Sequence, residues 1–103
     1  MNDKAASMLG MARRAGKLEA GFERCSAAIK SGKAKLVTVC CDISDKTTKE
    51  IVFLCEKHNV QVIKVAFTLS QLSDAIGFKT GICAVCDSGF AQRLNQLLIG
   101  KDD

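Results

Sequence analysis

The sequence predicts an α/β layer fold, a sheet with helices on both faces, on three observations. Apolar residues recur at helical spacing in five stretches. Between them lie three short runs, residues 35–41, 60–65 and 82–86, that are β-branched and nearly continuous in apolarity, as strands covered on both faces are. Glycines and small polar residues stand where one run gives way to the next. Strands alternating with helices in one short chain imply layers of helix, sheet and helix.

The elements follow in order. Residues 3–15 read as a helix with Ala5, Met8, Leu9 and Ala12 on one side, ended by Gly16. Residues 22–31 form a second helix, with Phe22, Cys25, Ala28 and Ile29 sharing a face and Gly32 closing it. Lys35–Cys41 is a buried strand. Ser44 caps a third helix, in which Ile51, Val52, Leu54 and Cys55 face inward and which His58-Asn59 ends. Val60–Val65 is the next strand. Thr68 and Gln71 have the spacing of a capping box, and the short helix after them carries Leu69, Leu72, Ala75 and Ile76 before Gly77 stops it. Ile82–Cys86 is a further strand, and Asp87 or Ser88 caps a last helix in which Phe90, Leu94, Leu97 and Leu98 pack. The tail after Gly100 is expected to fray.

At 103 residues the chain is expected to form a single domain over residues 1–103. It contains no run of about 18 apolar residues, so no transmembrane helix and no membrane partner are expected. MNDKAASMLG lacks the basic-then-apolar pattern of a signal peptide, which makes cytoplasmic residence the expectation. The charge is unevenly spread. Residues 1–35 hold eight Lys/Arg against three Asp/Glu, and residues 36–103 hold seven against eight. Arg13, Arg14, Lys17, Arg24, Lys30, Lys33 and Lys35 lie at or near the glycine breaks Gly16, Gly21 and Gly32. Positive charge beside turns and helix starts suits phosphate, so nucleic acid is the first ligand class to consider. A lysine-rich solvated face is the plain alternative. With five Phe and neither Trp nor Tyr, an extended aromatic platform for stacked bases is not expected.

Six cysteines raise the question of metal. Cys83 and Cys86 have the C-x-x-C form, but on a strand positions three apart face opposite ways. Cys40 and Cys41 diverge likewise. Cys25, Cys40, Cys41, Cys55, Cys83 and Cys86 are therefore read as small buried apolar residues, with no metal and no cofactor. His58 stands alone at a helix end and no catalytic set is discernible, so the chain is not expected to be an enzyme.

The run GKLEAGFERCSAAIKSGKAKLVTVCCDIS, followed by a capped helix ending LCEKHNVQV, resembles the kink-turn-binding ribosomal protein superfamily, most closely its bacterial YlxQ-type members. LGMARRAGKL, SGKAKLV, LSQLSDAIG and CDSGFAQRLNQLL fall in the same order, so the resemblance spans nearly the whole chain. It implies a three-layer helix–sheet–helix sandwich around a mixed four-stranded sheet, like that of ribosomal protein L-thirty-e. It also implies a short extra strand at Leu18–Ala20 that periodicity does not reveal.

It further implies a non-catalytic, ribosome-associated protein that binds structured, kink-turn-like RNA. Ribosomal proteins are a further partner class, and the chain is expected to be a monomer. The family's Gly-x-Asn-Glu-x-x-Lys motif, which meets sheared G·A pairs, falls on Gly21 to Ala27. Gly21 matches, Glu23 stands at the Asn position, Arg24 at the Glu position and Ala27 at the Lys position. Glu23 accepts from guanine amino and imino groups; Arg24 only donates, to guanine O6 and N7 or to phosphate. The plain alternative is a first-turn acid beside a solvated arginine.

The family's pocket for a flipped-out nucleotide falls on Ser44 and Thr48, which also suit simple capping. Its third contact falls on Phe78, Lys79 and Thr80, with Phe78 either offering a surface to a base or packing inward after Gly77. With Lys17, Lys33 and Lys35 as phosphate contacts, these residues make up the expected RNA site. The altered Glu23, Arg24 and Ala27 motivate a second reading, a protein-interaction module on the same fold.

Overall fold

The computed structural model describes residues 3–99, and the expected fraying beyond Gly100 lies outside them. The elements run α1 (Asp3–Arg14), β1 (Leu18–Ala20), α2 (Phe22–Lys30), β2 (Leu36–Val39), α3 (Asp45–Lys57), β3 (Gln61–Lys64), α4 (Leu69–Ile76), β4 (Ile82–Val85) and α5 (Ser88–Leu98). The sheet has the order β1-β4-β2-β3. β4 is antiparallel to both neighbours and β2 is parallel to β3, so the sheet is mixed. β1 occupies the residues that the family resemblance implied. Its three residues are too few to show a period of two, which is why the pattern missed it.

Local chemistry accounts for the element ends. The Gln71 N–H donates to Thr68 Oγ1 at 3.2 Å and the Thr68 N–H to Gln71 Oε1 at 2.9 Å, so both halves of the capping box form at α4. Gly77 closes that helix in the left-handed region at φ 74°, a conformation that suits glycine. Asp87 is the N-cap of α5, its Oδ2 accepting from the Phe90 N–H at 2.9 Å. The strands are shorter than the apolar runs because the ladder stops where partners stop. Val39 is the last β2 residue with neighbours on both sides, Ile82 and Lys64.

The alternation of side chains along the strands divides the core in two. Leu36, Cys40, Cys83 and Val85 face Leu9 of α1, Leu72 and Ile76 of α4, and Leu94 of α5. Val37, Val39, Ile82 and Ala84 face Cys25 and Ile29 of α2 and Ile51 and Cys55 of α3. Cys83 and Cys86 accordingly point to opposite faces. Cys25, Cys40, Cys55 and Cys83 are buried and Cys86 is half-buried. Two inward assignments are corrected. Cys41 is exposed, because the chain has already left β2 there, and its thiol donates to the Ala66 carbonyl at 3.2 Å. Phe22 is exposed too. It is the first residue of α2, and a helical side chain leans toward the helix N-terminus, here beyond the end of the sheet.

α1 and α4 meet at a glycine. A Cβ at Gly10 would stand 2.6 Å from the Ala75 carbonyl oxygen. In an ordinary helix interior, Ala is better than Gly by about 1 kcal/mol. Here the α4 backbone would have to move, so Gly10→Ala is expected to destabilise by about 1–3 kcal/mol. Urea unfolding checks this, and a variant as stable as the parent would show that the contact imposes no constraint.

The buried thiols generate a pH dependence. Burial pushes Cys25 and Cys40 up to about 12 and Cys55 up to about 11 from an ordinary 9.0. Burial raises Cys83 and Cys86 as well. Well below pH 9.0 these thiols hold their protons in both states. Above it the unfolded chain ionises first, so stability falls toward the folded values, by up to about 1.4 kcal/mol per pH unit for each thiol. Unfolding free energy should be flat with respect to these groups from pH 6 to 8 and drop above pH 9, and Cys25→Ala should make the drop shallower. An equal slope in the variant would contradict the assignment.

Candidate nucleic-acid interface

Three connections meet at one end of the sheet: Gly21 between β1 and α2, residues 40–44 between β2 and α3, and residues 77–81 between α4 and β4. The Gly21 N–H donates to the Ile82 carbonyl at 3.0 Å, and the Cys40 N–H to the Gly81 carbonyl at 2.8 Å. Gly81 leaves no room for a side chain, since a Cβ there would overlap Ile43 Cγ2. This end therefore gathers Gly21, Glu23, Arg24, Ser44, Thr48, Phe78, Lys79 and Thr80.

Lys17, Lys33 and Lys35 lie at the other end. The Cys86 N–H donates to the Lys17 carbonyl and the Lys35 N–H to the Val85 carbonyl, both at the far end of β4. Lys33 follows the C-terminus of α2, and nine helical residues separate the ends by roughly 13 Å. The structure thus splits the basic N-terminal third into two groups. The sequence could not show this, because helix α2 carries the chain from one end of the sheet to the other.

The two helix starts at the gathered end differ. Gly21 begins α2 at φ 100°, a conformation that suits glycine, and no side chain caps the helix. Its first N–H groups are directed outward, beside the side chains of Glu23 and Arg24, both exposed. α3 is capped from within. Ser44 Oγ accepts from the Thr47 N–H at 3.2 Å and donates to Thr47 Oγ1 at 3.0 Å, while Thr48 Oγ1 donates to the Ser44 carbonyl at 2.9 Å. Ser44 and Thr48 are thus engaged by their own helix, and α2 presents the free start.

Phe78 does not pack inward. It is 44% exposed. The Arg13 guanidinium lies 5.3 Å from the centre of its ring, and a Cβ at Gly21 would come within 3.7 Å of Cε2. Lys79 is exposed beside it, whereas Thr80 is half-buried and structural. The Ile82 N–H donates to Thr80 Oγ1 at 3.2 Å and the Thr80 N–H to Ser73 Oγ at 3.3 Å. Arg24 Nη1 lies 3.4 Å from Glu19 Oε1, with the two side chains 75% and 38% exposed. Solvent screening leaves such a pair weak and readily exchanged. Arg13 and Glu19 were not among the expected site residues. Both face the site only because α1 and β1 end beside α2, an arrangement without a local signal.

The gathered groups are phosphate donors, two acids (Glu19 and Glu23), one aromatic face and free helical N–H groups. They can hold an anionic polymer and read a base edge. Among the described residues no group of three or more His, Cys, Asp or Glu could hold a metal ion.

Comparison with known proteins agrees with this architecture. The chain is 33% identical over 97 residues to the RNA-binding protein YlxQ of Enterococcus faecium, covering 94% of this chain and 93% of that one. It is 35% identical over 92 residues to the RNA-binding protein YlxQ of Bacillus subtilis, covering 88% and 91%. A Bacillus halodurans protein of unknown function superposes with a TM-score of 0.85 at 32% identity, over 91% of this chain and 95% of that one. The Giardia lamblia 15.5kD RNA binding protein superposes with a TM-score of 0.73 at 14% identity, over 89% and 79%, a likeness of fold. Residues 3–95 match the model of the ribosomal protein L7Ae/L30e/S12e/Gadd45 family, and the chain belongs to that family.

Proposed function

We propose that this chain is a non-catalytic RNA-binding protein of the cytoplasm. It acts as a monomer and grips structured, kink-turn-like RNA, such as ribosomal RNA, with the end of the sheet where α2 starts. The observation that carries the reading is the convergence there of the uncapped helix start, Glu23, Arg24, Phe78 and Lys79. The names of the two bacterial relatives support RNA as the ligand. A binding role without chemistry fits the buried thiols of Cys25, Cys40 and Cys55, in which burial disfavours the reactive thiolate.

The division of labour follows from charge. The α2 N–H groups and Arg24 face phosphate. Glu23 is repelled by phosphate, so it belongs at such a surface only where it meets the amino and imino groups of guanine. Lys33 and Lys35 extend the electrostatic footprint for longer RNA and carry no base discrimination.

A second reading, a protein-interaction module, is favoured by one surface feature. A groove of about 540 Å³ between α1 and α5 is lined by Met8, Met11 and Leu97 together with Lys4 and Arg93. Methionine-rich surfaces adapt to protein partners.

Titration of a kink-turn RNA, and of the same RNA with its G·A pairs replaced, separates the readings. Glu23→Ala is expected to cost about 1–3 kcal/mol for the kink-turn and little for the replaced RNA. Arg24→Ala should weaken both. Lys33→Ala with Lys35→Ala should flatten the salt dependence, by a log–log slope of about 0.7–0.9 for each lost phosphate contact, and leave the ratio between the RNAs unchanged. Equal binding of the parent chain to both RNAs would overturn kink-turn recognition, and no salt-dependent binding to either would favour the protein module.

A further inference from the structure

β1 is an edge strand, paired with β4 on one side only. The Gly21 N–H and the Lys17 carbonyl bond to β4. By the alternation of an antiparallel ladder, Leu18 and Ala20 turn their backbone N–H and C=O groups to the open edge. A cleft of about 190 Å³ opens along this edge, lined by Arg13, Leu18, Glu19, Ala20, Arg24 and Phe78. It lies between the end of α1 and the start of α2, apart from the α3 start where the family resemblance places a flipped-out nucleotide.

The lining is chemically mixed. The Phe78 ring is partly open and is held by Arg13 from 5.3 Å. Glu19 supplies two acceptor oxygens, one of them 3.4 Å from Arg24 Nη1. Because that pair is solvent-exposed, replacing Arg24 by another donor at Glu19 carries little penalty. The freed guanidinium then faces phosphate or a base acceptor. An aromatic or guanidinium plane for stacking, with polar groups set to meet a base edge, is how proteins hold unpaired RNA bases.

We propose that this cleft is a subsite for one unpaired guanine of the bound RNA. A carboxylate only accepts hydrogen bonds. Among the four bases, guanine alone offers two adjacent donors, the N1 imino and N2 amino groups, on its Watson–Crick edge. Glu19 takes that edge, Phe78 and Arg13 take the face, and Arg24 takes O6 or the adjoining phosphate. The proposal rests on the RNA-binding reading above and assigns it a second, independent point of base selection.

The test uses the full chain and four probes: the RNA hexamers UUGUUU, UUAUUU and UUIUUU, where I is inosine, and the kink-turn RNA. Binding is followed by amide chemical shifts and by anisotropy. UUGUUU should shift the amides of residues 18–21 and 78–79 and bind about tenfold tighter than UUAUUU. UUIUUU, which lacks the N2 amino group, should fall between them. Glu19→Gln should abolish the preference for guanine, while Phe78→Ala should weaken all three hexamers alike, by about tenfold. A merely structural role for Glu19 would leave the guanine-to-adenine ratio unchanged and would overturn the proposal. Kink-turn binding with no guanine preference among the hexamers would overturn the subsite and leave the RNA reading standing. A guanine-selective cleft in a chain that ignores the kink-turn would do the reverse for kink-turn recognition. Binding of neither would overturn both.

Discussion

The close approach of α1 to α4 at Gly10 is the contact on which the candidate site depends. With no side chain at Gly10, the α4 backbone seats directly on α1, at the Ala75 carbonyl. α4 runs straight into Gly77 and Phe78, and α1 runs straight into Arg13. Seating one helix on the other therefore brings the Phe78 ring under the Arg13 guanidinium. Gly21 allows the ring to lie beside the start of α2. A larger residue at Gly10 would push the two helices apart and shift Phe78 relative to Arg13.

Two helices start at the same end of the sheet and present different surfaces. At α3 the Thr47 N–H is taken by Ser44 Oγ, and Asp45 stands in the first turn beside it. α2 begins at a glycine that brings no capping oxygen. With glycine at the N-cap, the absent side-chain cap costs roughly a few tenths of a kcal/mol. The α2 start keeps its donors available to an anion in exchange, and it holds Arg24 and Glu23 within the first turn. A hydrogen-bond acceptor and a cationic donor thereby sit side by side on one rigid element.

The cysteines illustrate how a strand disposes of a suggestive motif. The pleat sends Cys83 to the α1 side of the sheet and Cys86 to the α2 side. Each joins a different half of the core as a small apolar group. Burial there disfavours the thiolate, so the sulfur is both unreactive and a source of alkaline sensitivity.

The sequence alone determined the helices, three of the four strands and most of their inward faces, though not those of Phe22 and Cys41. Period and capping chemistry placed five helices and three strands. Thr68 with Gln71, Ser44 and Gly77 acted as read, because these signals span only three or four residues. The missing strand, Leu18–Ala20, was visible only through family resemblance, being too short to carry a period. Tertiary structure alone decided which charged residues share a surface. Lys17, Lys33 and Lys35 sit close in sequence to Gly21 and Arg24, yet β1 and α2 carry them to the opposite end of the sheet. Phe78, more than fifty positions beyond Gly21, lies against it. Arg13 and Glu19 enter the cleft from separate elements. Helix and strand formation answer to near neighbours along the chain, whereas a binding surface is set by the ends of elements that only the packed sheet brings together.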